Sequence, residues 1–494
     1  MREREAKLLV SADFELPRFD GIGGGIRVAA DETVDQRAVY FDTPDLRLTH
    51  SGASLRYRSD DGWTVKLPAP GDGSNLVRTE HTFAGSPSEP PAAALDLLRA
   101  WIRTAPIDEV AEVRTSRHRL VLNDAAGAKI AEIDDDRVTT ASHRGARKEF
   151  REVEVELSEH APKRLDRRLA RHVKRAGPTK KSSLSKVARG LDIRTTSSPS
   201  AGPVGFDIDL TADATTVDLV RAAIGASVQR LLLNDPVIRI GDDPEGVHQA
   251  RVATRRLRSD LRTFGPVLDE LWRDALRADL EKLGAALGKV RDADVLTEML
   301  RSTLARMPED QRVGAEPLFS NLAEQRERDR EALLTVMRSD EYLHLLDALV
   351  DAARNPRVDL AVGLRPARKV ALDLGRDPWR RLCKSIRKLG DHPSDTDLHR
   401  VRRKAKQARY ALEAIGVVAG KREAIRGEIA ASIQGTLGDH QDRVVARHWL
   451  LDAVEAIDGA RVGFIAGLLS GLLGSEQRAL RKQARKEYRH ACRS

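Results

Sequence analysis

Charged side chains recur at every second position in several short segments of the N-terminal part of the chain. Glu3, Glu5 and Lys7 would share one face of a β-strand formed by REREAKLLV, because neighbouring strand residues point to opposite faces. Glu152 and Glu154 would share a face of REVEVEL in the same way. Carboxylates placed side by side bind hard divalent cations through oxygen. These two segments therefore predict a metal-binding face.

Basic side chains alternate in the same manner in three other segments. Arg56 and Arg58 would share a face of SLRYRS, and Arg117 and Arg119 would share a face of their own strand. Lys66 lies on the charged face of WTVKL. Guanidinium and ammonium groups bind phosphate oxygens, and arginine does so in a bidentate fashion. A phosphate chain that carries a divalent metal ion would satisfy both the acidic and the basic faces.

The elements that must position these side chains are short strands. The segments AVYFDT, SLRYRS, WTVKL, KIAEID and REVEVEL alternate charged or polar residues with apolar ones, and helical stretches interrupt them near PPAAALDLLRAWIRT and KRLDRRLARHVKRA. A solvated outer face is the usual explanation for such a strand. The alternative is a closed barrel with a charged, wet lumen. Dense acid and dense base on the same strands favour the barrel.

These segments, in this order, resemble the signature of the CYTH, or triphosphate tunnel metalloenzyme, family. The matching blocks are the N-terminal ExExK, YFDTPDLRLTHSGASLRYR followed by GWTVKLP, FREVEVEL, and the SK of SLSKVAR. The resemblance covers residues 1–194 and implies an eight-stranded antiparallel β-tunnel with flanking helices. It further implies hydrolysis of a triphosphate with Mg²⁺ or Mn²⁺, although some relatives cyclise ATP or cleave thiamine triphosphate.

The resemblance also implies a role for individual residues. The implied metal ligands or water-orienting carboxylates are Glu3, Glu5, Glu152 and Glu154. The implied phosphate-binding residues are Lys7, Arg56, Arg58, Lys66, Arg117 and Lys186. The implied catalytic residues are Glu3, Glu5, Lys7 and Glu154. Glu80 and Asp134 fit the remaining acidic positions, and Arg114 and Arg119 are alternatives to Arg117.

The second half of the chain is almost entirely helical in its periodicity, and it contains an internal duplication. A Ser-, Thr- and Pro-rich segment, TTSSPSAGP, precedes it, so we predict domains at 1–194 and 206–494 joined by a linker at 195–205. The segment VHQARVATRRLRSDLRTF matches LHRVRRKAKQARYALEAI with an offset of 151 residues from His248 to His399. Further on, LGKVRDADV matches LGDHQDRVV.

Each copy of the duplicated segment would form a helix with one cationic ridge. A solvated arginine-rich face explains one such helix well. Two copies that keep a histidine at the same end favour instead a shared basic groove for a polyanion. Aromatic residues that could stack on bases are not interleaved, which disfavours nucleic acid. The ridge residues, and thus the candidate polyphosphate-binding residues, are His248, Arg251, Arg255, Arg258, Arg262, His399, Arg402, Lys406 and Arg409.

This half of the chain resembles the CHAD family, the conserved histidine α-helical domain, over residues 206–494. The two histidine-headed basic helices and the two L-G-x-x-x-D segments carry the resemblance. It implies an all-α domain of two pseudo-twofold related four-helix bundles that binds long-chain inorganic polyphosphate. One departure is that Glu413 stands where the first copy has Arg262, which predicts a weaker groove at that end.

The sequence as a whole predicts an α+β multidomain protein that acts on phosphate chains. The net charge of +9 permits an anionic partner. The two cysteines and the charged N-terminus fit a cytoplasmic location, for example at polyphosphate granules, and we expect no membrane partner. The predicted function is a Mg²⁺- or Mn²⁺-dependent triphosphatase acting on tripolyphosphate or a related triphosphate, tethered to polyphosphate. The alternatives are a non-catalytic polyphosphate-binding protein and a class IV type adenylate cyclase.

Overall fold

A computed structural model describes residues 2–491 of the chain with internal gaps. The undescribed internal residues are 21, 23–24, 69–75, 159–160, 163, 183, 194–205, 207, 209, 391–392 and 458, and side chains are also undescribed at 2–5, 76–78 and 489–490. The predicted linker at 195–205 therefore lies outside the described residues. The chain divides into two compact units, residues 1–207 and 208–494.

The first unit is built on one antiparallel sheet. Its strands are β1 (Arg2–Val10), β2 (Arg27–Asp42), β3 (Ser54–Arg58), β4 (Gly62–Pro68), β5 (Leu76–Phe83), β6 (Asp108–Asn123), β7 (Lys129–Ser142), β8 (Arg147–Leu157) and β9 (Lys180–Ser182). The strand order is β5-β4-β3-β2-β6-β7-β8-β1-β9, and β1 also pairs with β5. Eight strands therefore close into a barrel, as predicted, and the three-residue β9 extends the edge of β1 beyond β5.

The barrel's apolar faces point outward against helices, and this places the charged faces inside. The helices of this unit are α1 (Arg47–His50), α2 (Ala92–Ile102), α3 (Leu165–Ala176) and α4 (Lys186–Gly190). Leu8, Val153 and Val155 of the strands are fully buried in one core cluster with Leu169 and Val173 of α3. Burying each such side chain stabilises the fold by roughly 1.5–3 kcal/mol. The period-2 alternation then directs the charged partners of these residues into the lumen.

Asp42 organises the turn between β2 and β3, within the DTPD segment. Its buried carboxylate accepts hydrogen bonds from the backbone N–H groups of Thr43, Leu48 and Thr49 at 2.7–2.9 Å, and from the Thr49 hydroxyl at 2.7 Å. These bonds satisfy donors at the start of α1 that have no partner within that helix. Asp42 therefore has a structural role in this turn.

Asp42→Ala is expected to lower the free energy of unfolding of the barrel unit by about 2–4 kcal/mol, because it leaves three buried backbone donors without an acceptor. Urea denaturation followed by far-ultraviolet circular dichroism measures the change. Asp45→Ala is the matched control, since its carboxylate is 61% exposed and pairs with Arg47 at the surface; it should cost about 1 kcal/mol or less. Equal stability of the two variants would contradict this role of Asp42.

The second unit is all helical across its described residues. Its helices are α5 (Thr216–Ile240), α6 (Glu245–Thr263), α7 (Glu270–Ala305), α8 (Glu309–Arg312), α9 (Glu316–Arg338), α10 (Asp340–Arg354), α11 (Leu360–Gly363), α12 (Ala367–Arg387), α13 (Asp395–Ala419), α14 (Lys421–Ala456) and α15 (Ala460–Ala491). A 3₁₀ turn lies at Gly265–Val267. No helix among the described residues is long and apolar enough to span a membrane.

The duplication seen in the sequence is also a structural duplication. Helices α5 and α12 start 151 residues apart, and α7 and α14 both start and end 151 residues apart. At the first pair of helices the chain makes a reciprocal contact: Thr216 N–H donates to Arg365 O, and Ala367 N–H donates to Ala214 O, both at 2.9 Å. The two bonds connect equivalent positions of the repeats, as a pseudo-twofold axis requires.

Four helices of one repeat correspond to four of the other, namely α5, α6, α7 and α9 to α12, α13, α14 and α15. The repeats also share a core, because one buried cluster draws on both. Leu296 and Leu300 of α7 pack there with Leu450 of α14 and with Leu469 and Leu473 of α15. Since each repeat completes its core on the other, the relative position of α6 and α13, which carry the two basic ridges, is fixed by packing.

Candidate functional site

A polar cavity of about 220 Å³ occupies the lumen of the barrel. Every strand from β1 to β6 and β8 contributes at least one side chain to its wall, and α4 contributes Lys186. The charged residues that line it are Lys7, Arg56, Arg58, Asp61, Lys66, Glu80, Arg117, Arg119, Glu154, Glu156 and Lys186. The lumen therefore contains both signs of charge, as the alternation predicted.

The strand register brings acids and bases of the lumen face to face. Arg117 lies opposite Asp136 in the β6–β7 pair, and Asp136 lies opposite Glu152 in the β7–β8 pair. In β1–β8, Lys7 lies opposite Glu154. The Arg117 guanidinium donates to both oxygens of Asp136 at 2.7 and 2.8 Å and to Glu154 Oε2 at 3.1 Å. Lys7 Nζ donates to Glu154 Oε1 at 2.5 Å.

Lys186 places an ammonium among three buried carboxylates. Its Nζ lies 2.8 Å from Asp136 Oδ2, 2.9 Å from Glu154 Oε1 and 3.1 Å from Glu152 Oε1. The residue begins α4, which Ser185 caps by accepting a hydrogen bond from Ala188 N–H. Burial alone would lower the pKa of Lys186, but the three carboxylates outweigh it and raise that pKa well above its usual value. The ammonium is therefore fully charged.

The two glutamates of this cluster differ in their electrostatics. Burial raises the pKa of Glu152, and the opposing charges of Lys186 and Lys7 do not fully compensate. Burial acts on Glu154 as well, but Lys186, Lys7 and Arg117 together hold its pKa well below the usual value. Both oxygens of Glu152 are buried without an aligned hydrogen-bond donor among the described residues, although Lys186 lies close by.

Strands β3 and β4 form a more basic wall of the cavity, with Arg56, Arg58 and Lys66. Glu80 of β5 pairs with two of these residues. Lys66 Nζ lies 2.8 Å from Glu80 Oε2, and Arg56 lies 3.4 Å from Glu80 Oε1. Arg58 pairs with the exposed Asp60 at 3.0 Å. Tyr40 of β2 lies among these cations: burial would raise the pKa of its hydroxyl, but Arg56, Lys186 and Lys66 outweigh burial and lower it.

The structure thus gathers Lys7, Arg117, Glu152, Glu154 and Lys186 into one cluster and places Arg56, Arg58 and Lys66 on the same cavity. Glu3 and Glu5 have described backbones in β1, but their side chains lie outside the described residues.

Among the three candidate arginines of β6, Arg114 is excluded from the lumen. Its side chain is 71% exposed and pairs with Glu112. Arg117 and Arg119, in contrast, both form ion pairs with the buried Asp134. Glu80 and Asp134 do occupy the lumen side of their strands, in ion pairs with these bases.

Asp136 is a buried member of the charged cluster that was not predicted from the sequence. The alternation of Glu132 and Asp134 in KIAEIDDDRV continues to Asp136, so extending the strand by two residues would have identified it. Its side chain is fully buried and contacts both Arg117 and Lys186. Tyr40 was not predicted either, because a tyrosine in AVYFDT is expected on the apolar face.

The carboxylates fit a divalent cation by their chemistry and spacing. One oxygen from each of Asp136, Glu152 and Glu154 lies within 4.8 Å of the others. Oxygen donors are what Mg²⁺ and Mn²⁺ prefer, and Glu152 in particular has two buried oxygens without an aligned donor among the described residues. In this structure the Lys186 ammonium lies close to all three groups.

A second, larger cavity of about 1120 Å³ adjoins the first through Gln36 and Thr115. Its arginines are mostly engaged elsewhere: Arg37 pairs with Glu112, and Arg151 donates to both oxygens of Asp135. Its described lining residues include no group of three carboxylates. The lumen cavity is therefore the better candidate for the active site, although it is the smaller of the two.

In the helical unit, the basic ridges of α6 and α13 touch each other. The Arg255 guanidinium of α6 lies 5.2 Å from the centre of the Tyr410 ring of α13, and the Arg409 guanidinium lies 5.5 Å from the same centre. Arg256 of α6 pairs with Glu413 of α13 at 2.5 Å. Lys406, one helical turn before Tyr410, experiences the charges of both ridges. The ridges therefore form one cationic cluster.

The L-G-x-x-x-D segments of α7 and α14 lie against the first arginine of each ridge. Arg251 donates to Gly288 O at 2.7 Å and to Asp292 at 2.6 Å. Arg402 lies over Gly438 in the second copy, and its charge acts on Asp442. The segment therefore positions Arg251 in the first copy and lies beside the equivalent Arg402 in the second.

The ends of the ridges are less uniform. Burial and the charge of Arg291 lower the pKa of His248, so its imidazole is neutral at neutral pH. His399 Nδ1 lies 3.2 Å from Gln441 Oε1. Glu413 forms an ion pair with Arg409 at 2.6 Å. Arg262, at the equivalent position of the first repeat, lies near other cations, and burial together with Arg277 and Arg258 lowers its pKa.

Comparison with known proteins finds two family models along the chain. The model of the CYTH domain matches residues 1–191, and that of the CHAD domain matches residues 222–451. The chain is 33% identical over 495 aligned residues to two curated Mycobacterium tuberculosis proteins, named Uncharacterized protein MT2285 (strain CDC 1551 / Oshkosh) and Uncharacterized protein Rv2226 (strain ATCC 25618 / H37Rv). The match covers 94% of this chain and 92% of each relative.

Solved structures with similar parts include the CHAD domain from the plant Ricinus communis, at 26% identity over 57% of this chain and 94% of that one, with a TM-score of 0.46. PptA from Streptomyces chartreusis is 21% identical over 57% of this chain and all of its own, with a TM-score of 0.45. A putative adenylate cyclase from Bacillus halodurans is 20% identical over 38% of this chain and 96% of its own, with a TM-score of 0.25.

Proposed function

Because this chain belongs to the family of proteins in which a CYTH domain is followed by a CHAD domain, we propose that it is a divalent-metal-dependent triphosphatase acting on inorganic tripolyphosphate or a related triphosphate. We propose further that its helical domain binds long-chain inorganic polyphosphate and tethers the enzyme to it. The observation that carries the first proposal is the buried cluster of Asp136, Glu152 and Glu154, whose oxygens lie within 4.8 Å of one another. Glu154 of this cluster lines the lumen cavity together with Arg56, Arg58 and Lys66.

The basic wall would bind the phosphates. Arg56, Arg58 and Lys66 line the cavity, where they form ion pairs with Asp61, Asp60 and Glu80. A triphosphate in the cavity would offer the same three cations its own anionic oxygens. Guanidinium groups would hold phosphate oxygens by two parallel hydrogen bonds. Positioning and charge stabilisation of this kind account for most of the catalysis of phosphoryl transfer.

The acidic cluster would hold the metal and orient water. Asp136, Glu152 and Glu154 are the groups that would bind Mg²⁺ or Mn²⁺, which would stabilise the charge of the transferring phosphoryl group. Arg117 and Lys186 keep Glu154 ionised, so that it remains a ligand at neutral pH. Glu152 is fully buried and does not line the cavity, whereas Glu154 does, so Glu154 is the carboxylate placed to orient the attacking water.

For the helical domain, a plain phosphate polymer fits the cluster better than nucleic acid does. The aromatic residue at its centre, Tyr410, is buried and already has Arg255 and Arg409 on its ring, so it offers no free face to a base. The cluster of guanidinium groups would bind phosphates in succession. A cytoplasmic protein held at polyphosphate granules would follow from such binding.

The competing functions predict different products. Purified protein incubated with Mg²⁺ or Mn²⁺ should release phosphate and pyrophosphate from tripolyphosphate, with ATP and thiamine triphosphate as parallel substrates. Cyclic AMP and pyrophosphate formed from ATP would instead support a class IV type adenylate cyclase. Binding of all three compounds without any turnover would leave a non-catalytic polyphosphate-binding protein. EDTA should abolish the activity.

A further inference from the structure

Lys406 is the amine at the centre of the cationic cluster formed by α6 and α13. It is half-buried, and its pseudo-equivalent in the first repeat is Arg255, 151 residues earlier. Arg255 reaches across to the Tyr410 ring, which is one turn along α13 from Lys406. The side chains that act on its charge belong to both ridges: Arg255, Arg402, Arg251 and Arg258. An anion that enters the cluster would therefore meet guanidinium groups beside this amine.

Lys406 differs from its cationic neighbours in its partners. Arg251 pairs with Asp292, Arg258 with Glu281 and Arg409 with Glu413. No carboxylate lies within ion-pair distance of Lys406 in the part of the chain that the structure describes. In addition, the buried Nε atoms of Arg255 and Arg402 lack a hydrogen-bond partner there. Donors left unpaired beside an unpaired amine are what a missing anionic ligand would leave.

This environment makes the amine reactive. Burial, reinforced by the surrounding arginines, lowers the pKa of Lys406 to about 8. An ordinary lysine, with a pKa near 10.4, is less than about 1% neutral at pH 8, whereas about half of Lys406 would be neutral. Lysines that are desolvated or placed beside another cationic group act as nucleophiles in enzymes for this reason.

We propose that Lys406 is a modification site that reacts with acyl phosphates, small metabolites whose phosphate binds the surrounding arginines and presents the acyl carbon to the amine. The neutral Nζ attacks the carbonyl carbon, and a C–N amide bond forms as the bond from that carbon to the phosphate oxygen breaks. Phosphate leaves as HPO₄²⁻, carrying the proton that nitrogen loses. No oxidant, reductant or further reactant is needed.

Acylation would remove a positive charge from the centre of the cluster and so weaken its hold on any polyanion. A bound polyphosphate would conversely keep Lys406 protonated and block the reagent. The inference rests on the proposed function only in treating the cluster as an anion site. Direct titration of wild-type protein with long-chain polyphosphate tests the tether separately, whatever happens at Lys406.

The test incubates the whole protein with acetyl phosphate at pH 6.5 to 9 and measures acetylation at each lysine by peptide mass spectrometry. Lys406 should react at least about 10-fold faster than Lys404, two residues away on the same helix, whose ammonium donates to Gln407. The rate at Lys406 should rise with pH through about 8, where half of the amine is neutral, and should level off towards pH 9. Excess inorganic phosphate should slow it severalfold.

Two variants complete the test. Arg255→Gln should slow acetylation of Lys406 severalfold, while Arg380→Gln, an exposed arginine of α12 that pairs with Asp377, should leave the rate unchanged. A rate at Lys406 no faster than at Lys404 would overturn the proposal, as would a fast rate that inorganic phosphate does not change. Fast, phosphate-sensitive acetylation in a protein that binds no long-chain polyphosphate would uphold this site and refute the tether.

Discussion

Glu154→Gln is expected to lower metal-dependent triphosphate hydrolysis by about 10²–10³-fold, the size of the loss when one preorganised electrostatic group is removed from an active site. Glu154 contacts Lys7, Lys186 and Arg117 and is one of the three carboxylates that would hold the metal. The amide keeps the shape of the side chain but removes its charge. The three bases would then compete for Asp136 and Glu152, and the metal would lose a ligand.

Phosphate release from tripolyphosphate, measured over a range of Mg²⁺ and Mn²⁺ concentrations, checks this prediction. Glu149→Gln is the matched control, because Glu149 is on the same strand but 68% exposed and pairs with Arg147 at the surface; its turnover should equal that of wild type. Circular dichroism and thermal unfolding show whether the variant is folded. Wild-type turnover in a folded Glu154→Gln variant would refute the catalytic assignment of the lumen.

The helical domain supplies the second large effect. Replacing Arg255 and Arg258 together, or Lys406 and Arg409 together, by glutamine should weaken binding of long-chain polyphosphate about 100-fold, at roughly 1.4 kcal/mol for each charge-assisted hydrogen bond to phosphate that is removed. Binding should also depend less on salt. By analogy with single-stranded nucleic acid, each neutralised phosphate adds about 0.7 to the slope, so the removal of two cations should flatten it by about 1.4.

The control for these pairs is the double change of Arg380 and Arg381 to glutamine. Both lie on α12, are 74% and 62% exposed and pair only with Asp377 among the described residues, so the variant removes the same charge at the surface. Its affinity should stay within about threefold of wild type. Tripolyphosphate hydrolysis should survive in all three variants, because the lumen lies in the other unit. Ridge variants that bind with unchanged affinity and salt slope would show that the ridges are solvated helix faces.

Much of the barrel could be predicted because its residues obey a simple alternation. Charged residues at every second position of REVEVEL and SLRYRS identified the strands and their inward faces, and the mixture of signs indicated a closed lumen. Register could not be predicted, because it depends on pairing between distant strands. The pairing of Asp136 with Arg117 on one side and with Glu152 on the other follows from that register.

The helical half was predictable for a different reason, namely its duplication. An offset of 151 residues found in two basic segments also relates the starts of α5 and α12 and both ends of α7 and α14. Sequence could not show which cations would meet, since that requires the packing of α6 on α13. Lys406 illustrates this point: the sequence placed it on the cationic ridge, but only the packing of the two helices puts Arg255 of the other repeat close enough to act on its charge.

The central claim is that the barrel lumen binds a triphosphate together with a divalent metal, and one crystallographic measurement tests it most directly. Crystals of the protein grown with Mn²⁺ and tripolyphosphate would be measured at the manganese absorption edge. We expect an anomalous peak beside Asp136, Glu152 and Glu154, with phosphate density against Arg56 and Lys66. A lumen without manganese or phosphate at saturating concentrations of both, or manganese bound only elsewhere, would contradict the account.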